Sequence, residues 1–130
     1  MAGEVMNNST DLKIAVIVPC YNEAETIAGV VADFKKHLPS AGIFVFDNNS
    51  SDNTSAIAKA AGAHVYRVPL QGKGNVIRRM FADVEADVYV MVDGDGTYDV
   101  SVAPMLVETL VREGLDMVVG SRVSEEQAAY

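Results

Sequence analysis

Two aspartates separated by a single glycine, Asp93 and Asp95, follow the apolar run Val88-Tyr89-Val90-Met91-Val92. A buried strand ending here aims both carboxylates from a rigid base. Carboxylate oxygens are hard ligands, and a pair presented this way suits a divalent cation, Mg²⁺ or Mn²⁺, that itself holds phosphate oxygens. Asp and Gly are also ordinary turn residues, so the triplet alone reads equally as an acidic turn.

Two further polar clusters follow apolar runs. Cys20-Tyr21-Asn22-Glu23 comes after residues 13–19, and Asp47-Asn48-Asn49-Ser50-Ser51-Asp52 comes after residues 43–46. Asp47 can accept a hydrogen bond from the imino or amino group of a nucleobase, or the segment is a turn in which Asp52 caps a helix. Tyr21 can lie against a base or ribose. Glu23 can accept from ribose hydroxyls, although a Glu at this place also suits the first turn of a helix. Pro19 ends the strand ladder and turns the loop. Gln71-Gly72-Lys73-Gly74, leading to Arg78 and Arg79, offers glycine N–H groups and a cation to a phosphate. It is not a Walker A sequence, since no Ser or Thr follows Lys73, and Ile77 stands where the dinucleotide fingerprint needs its last glycine. A loop of solvated charges is the competing reading, and the better one for Arg79. Arg122, in Gly120-Ser121-Arg122, can hold a second anionic group or make a surface ion pair. His37 and His64 read as surface or strand-edge residues.

The elements that must position these groups alternate. Strands are predicted at residues 13–19, 43–46, 65–68, 87–92 and 117–119. Helices are predicted after Asn22, with Glu25 completing a capping box, after Asp52 as far as Gly62, over residues 74–84, and over 102–111. Residues 1–11 read as a disordered tail and 12–130 as one unit. Such alternation implies an α/β fold, a Rossmann-like, mostly parallel sheet with helices on both faces. Ligands bind such sheets outside the carboxyl ends of the strands, where strand order reverses. All three polar clusters fall at those ends.

The formal net charge of −8 argues against nucleic acid as a partner, because phosphate backbones reward a basic surface. Cys20 is the only cysteine, which rules out an intrachain disulfide and fits a reducing, cytoplasmic compartment. The start of the chain lacks the basic-then-apolar order of a signal peptide, and no apolar run approaches the ~20 residues needed to cross a bilayer.

Together the clusters resemble the family-2 glycosyltransferases of GT-A fold. The resemblance rests on Val16-Ile17-Val18-Pro19-Cys20-Tyr21-Asn22-Glu23, on Val45-Phe46-Asp47 through Asn53-Thr54, and on Gly72-Lys73-Gly74. Val92-Asp93-Gly94-Asp95 and Val119-Gly120-Ser121-Arg122 complete it. The flavour is similar to the dolichyl-phosphate mannose synthase type, which moves a sugar from a nucleotide donor to a polyprenyl phosphate. The resemblance implies that Pro19, Tyr21, Glu23 and Asp47 hold the nucleoside and that Lys73 lies near the donor phosphates. It implies that Asp93 contacts the ribose or sugar and the metal, with Asp95 as principal metal ligand, and that Arg122 binds the acceptor phosphate. It also implies action at the inner, cytoplasmic membrane face in the full-length protein. The pattern departs from the family at Asn48, where a second acid is usual, at Asn49, where glycine is usual, and at Thr97, where some relatives carry an amide.

Family catalytic domains run beyond this chain, so a donor-binding part with no assignable catalytic base is expected. Apolar surface left uncovered by the missing part is expected to promote self-association. Two rivals stand beside this reading. One is a nucleotide-sugar-binding module without chemistry. The other is a phosphatase, because Asp93-Gly94-Asp95-Gly96-Thr97 also resembles the nucleophile motif of haloacid-dehalogenase-like enzymes.

Overall fold

The computed structural model describes residues 12–70, 72–113 and 117–119. The elements are β1 (Ile14–Cys20), α1 (Ile27–His37), β2 (Gly42–Asp47), α2 (Thr54–Ala60) and β3 (His64–Arg67). Then come α3 (Lys73–Asp83), β4 (Val88–Met91), a 3₁₀ turn (Val100–Val102), α4 (Ala103–Glu113) and β5 (Met117–Val119). The expected tail, residues 1–11, lies outside the described residues.

The five strands form one sheet in the order β3-β2-β1-β4-β5, and every neighbouring pair is parallel. Period-two side-chain alternation divides the core. Val16, Val18 and Cys20 of β1 pack with α1, α2 and α4 on one face. Ala15 and Ile17 pack with Val76 and Met80 of α3 on the other. The α1 stripe Ile27, Val30, Val31 and Phe34 is buried at helical spacing. The expected α/β architecture is thus present, with helices on both faces.

Chain direction creates the crevice. From β1 the chain steps outward to β2 and β3, then returns to place β4 on the other side of β1. Strand order therefore reverses between β1 and β4, and their carboxyl ends carry Tyr21 and Asp93 respectively.

Two local expectations need correction. Asn22 does not cap α1: the helix begins at Ile27, and Thr26 precedes it without a side-chain cap bond. Residues 23–26 form a turn in which Glu23 O accepts from both Thr26 N and Ile27 N. Asn22 has φ 54, and its Oδ1 instead accepts from Ser51 N at 2.9 Å. A tertiary bond has overridden the capping box. Nor does Pro19 end β1, because the strand continues to Cys20, paired with Asp47, and Pro19 O accepts from Gly94 N. Asp52 does act at the start of α2, accepting from Thr54 N at 3.0 Å, while its other oxygen accepts from Ala24 N at 3.2 Å.

Candidate active site

A groove of about 370 Å³ opens at the reversal point. One wall is the end of β1, with Pro19, Cys20, Tyr21 and Glu23; Asp93 and Asp95 stand in a second wall, and Asn48, Gly72 and Val76 close a third. Five of the expected site residues, Pro19, Tyr21, Glu23, Asp93 and Asp95, therefore meet in one place.

Close packing fixes the acidic loop. A Cβ on Gly94 would lie 2.9 Å from Cys20 Cβ and 3.3 Å from Ile27 Cδ1, so only glycine lets β4 end against β1 and α1. The Thr26 hydroxyl donates to Gly94 O at 2.6 Å, tying the loop to the start of α1. Asp95 Oδ1 accepts from Thr97 N at 3.1 Å and from Thr97 Oγ1 at 2.7 Å. Thr97 thus orients Asp95 where some relatives carry an amide.

The electrostatics of the groove are acidic. Burial raises the Glu23 carboxyl above its usual range, and Asp95 raises it further, with smaller additions from Asp93 and Asp52. The Thr26 hydroxyl opposes the shift. Glu23, Asp93 and Asp95 therefore share one field and repel one another, which favours a cation between them. Among the described residues no group of three or more His, Cys, Asp or Glu side chains is arranged to hold a metal by itself. The hard oxygens of Asp93 and Asp95 fit a divalent ion whose remaining ligands are phosphate oxygens and water. Cys20 is no nucleophile: burial pushes its thiol far up, and Asp47, Glu23 and Asp52 add to the shift.

Asp47 lies outside the groove. It is fully buried, its Oδ1 accepts from Ser50 N at 2.8 Å, and its Oδ2 meets the Ser55 hydroxyl and Arg67 Nη1, the latter at 3.3 Å. Arg67 also donates to Ser50 O at 3.1 Å. The side chain from this strand end that lines the groove is Asn48. Asn49 has φ 68, a left-handed conformation that glycine or Asn adopts readily, which explains the exchange at that position. Lys73 is the first residue of α3, beside the groove-lining Gly72. Arg79 pairs with Asp83 on the helix surface, as the solvated reading expected. Arg122 lies outside the described residues.

Sequence reasoning missed Thr26, Ser50, Ser55 and Arg67 as organisers of the site. Short hydroxyl residues beside the acids were the available signal. Arg67 gave none, since its partner lies 20 positions away.

The sequence profile described as Glycosyl transferase family 2 matches residues 15–130. The chain is 62% identical over 109 residues to Protein RfbJ of Shigella flexneri, covering 84% of each. It is 29% identical over 118 residues to a dolichol-phosphate mannosyltransferase of Pyrococcus furiosus, covering 85% of this chain and 33% of that one. The crystal structure of Mycobacterium tuberculosis glucosyl-3-phosphoglycerate synthase with Mn²⁺ and UDP-glucose aligns with a TM-score of 0.69 at 28% identity. That alignment covers 85% of this chain and 43% of the enzyme. The chain thus spans most of one relative and less than half of the other two. Against a transferase profile running from β1 onward, the phosphatase reading of Asp93-Gly94-Asp95-Gly96-Thr97 falls away.

Proposed function

Because the chain belongs to glycosyl transferase family 2, we propose that its groove binds a nucleotide-diphospho-sugar, GDP- or UDP-linked, together with Mg²⁺ or Mn²⁺. The observation that carries this reading is the convergence of Tyr21, Glu23, Asp93 and Asp95 on one groove at the reversal of strand order. The presence of Mn²⁺ and UDP-glucose in the similar synthase supports it.

In this reading Pro19 and Tyr21 form the floor against which the nucleoside lies, and Glu23 accepts from ribose hydroxyls. Tyr21 lines the groove and is 49% exposed, and a tyrosine ring there could stack on a base. Asp47 serves the site by fixing the loop that carries Asn48. The start of α3, which begins at Lys73, would lie near the diphosphate. Asp93 and Asp95 hold the cation, Asp95 as the principal ligand. A bound divalent ion supplies Lewis-acid stabilisation of the nucleoside diphosphate as it leaves the sugar. Thr97 keeps Asp95 oriented, and Thr26 keeps the loop against β1.

The acceptor in this proposal is a polyprenyl phosphate, its phosphate held by Arg122, at the cytoplasmic face of a membrane. The similarity to a dolichol-phosphate mannosyltransferase supports that choice. No helix among the described residues is long and apolar enough to cross a membrane. Self-association belongs to the same proposal, since Leu70, Ile77 and Phe81 are exposed near one another in sequence on and before α3.

The test is a thermal-shift panel of GDP, UDP and their sugar conjugates with and without Mn²⁺, followed by an assay for nucleoside diphosphate release with a polyprenyl phosphate. Metal-dependent stabilisation by one nucleotide family is expected. Absence of a shift with every nucleotide would refute the reading, and binding without release would reduce it to a donor-binding module.

A further inference from the structure

Asn48 spends both ends of its carboxamide on one loop. Its Nδ2 donates to Leu70 O at 2.6 Å and to Val68 O at 3.1 Å. Its Oδ1 accepts from Gly72 N at 2.9 Å. One planar group thereby holds three backbone groups that lie 20 to 24 positions further along the chain.

The loop so held leads directly into α3. Gly72 precedes the helix with φ 117 and ψ 137, a conformation that glycine alone adopts readily, and it lines the groove. Gly72 O in turn accepts from Asn75 N at 3.1 Å, so the clasp on Gly72 also bears on the first turn of the helix. An acid at this position would not make the same three bonds. A carboxylate only accepts, and it would face the Leu70 and Val68 carbonyl oxygens with like charge.

We infer that Asn48 is a positioning residue: its carboxamide fixes Val68, Leu70 and Gly72, and with Gly72 the start of α3, at the rim of the groove. This explains why an amide stands where the family resemblance expects a second acid. The consequence for nucleotide affinity rests on the donor-site reading, whereas the clasp itself does not.

Amide hydrogen exchange at Gly72, without any nucleotide, reads the clasp directly. In Asn48→Ala the Gly72 N–H loses its acceptor and should exchange about tenfold faster, the equivalent of about 1.4 kcal/mol. Asn48→Asp keeps an acceptor for the Gly72 N–H but repels the Leu70 and Val68 carbonyl oxygens, so at neutral pH its Gly72 exchange should lie between that of the wild type and Asn48→Ala. At about pH 4, in the usual carboxyl range, it should regain protection relative to the wild type at the same pH, because a protonated carboxyl again offers a donor and an acceptor. General destabilisation would quicken exchange throughout the sheet and would not reverse on acidification. Calorimetry with Mn²⁺ and GDP or UDP should show affinity about tenfold weaker in Asn48→Ala. Unchanged Gly72 exchange would overturn the inference, as would faster exchange with undiminished nucleotide affinity. Should the wild type bind neither nucleotide, the donor-site reading fails, and the exchange result alone then decides the clasp.

Discussion

Glu23 is the residue in which the acidity of the groove is expressed. Its folded carboxyl titrates above the ordinary value of 4.5, chiefly through burial and then through Asp95. Between those two values the folded chain holds a proton that the unfolded chain has lost, so stability falls as pH rises through that window. Asp52 and Asp99, lowered by hydrogen bonds from Thr54 and Ser101, act in the opposite sense, and their contribution is lost as pH falls below the usual 3.8. Glu23→Gln should therefore melt higher than the wild type at pH 7 without metal, and the difference should vanish below the ordinary glutamate value. Thermal denaturation across pH checks this, and a lower melting point at pH 7 would contradict it. The place of Glu23 at the strand-end edge was readable, because it stands just beyond an apolar strand, whereas its repulsion with Asp93 and Asp95 was not. Asp47 looked the same in sequence yet lies buried beneath Arg67 and Ser55. Two acids at strand ends can face different ways, and their tertiary partners decide which lines the groove.

Elements were legible where periodicity was strong and misread where a tertiary bond intervened. The α1 stripe from Ile27 to Phe34 was visible as helical spacing and is buried as expected. Its start was misplaced because Asn22 bonds Ser51 rather than its own helix. Packing of these elements sets two predictions. Phe34, fully buried between α1 and the sheet, should cost about 3–5 kcal/mol when replaced by Ala, measured by denaturant unfolding. Gly94→Ala forces a methyl to within 2.9 Å of Cys20 Cβ and should cost about 1–3 kcal/mol. It should also weaken metal binding, because the displaced loop carries both aspartates. A Gly94→Ala protein of wild-type stability would show that β4 and β1 do not meet this closely.

For the whole molecule, alternation of strands and helices was enough to foresee a parallel sheet with its polar clusters at the carboxyl ends of the strands. Strand order was not legible, since nothing local states that β4 returns beside β1 while β3 becomes an edge. That order is what brings Tyr21 and Asp95 together. The uneven cover of the sheet among the described residues, α3 on one face and α1, α2 and α4 on the other, was likewise beyond sequence reading. Ile77 and Phe81 are exposed on α3, with Leu70 before it. Sedimentation velocity should therefore show association that grows with concentration and declines in Phe81→Ser. A strictly monomeric wild type would remove self-association from the proposal.

In the proposed function Asp95 would hold the divalent cation that accompanies the donor diphosphate. Calorimetric titration of GDP and UDP into wild type and Asp95→Asn, each with and without Mn²⁺, tests it most directly. Mn²⁺-dependent binding is expected in the wild type and, in Asp95→Asn, an affinity at least about tenfold weaker that no longer responds to Mn²⁺. Equal, Mn²⁺-dependent affinity in the two proteins would contradict it.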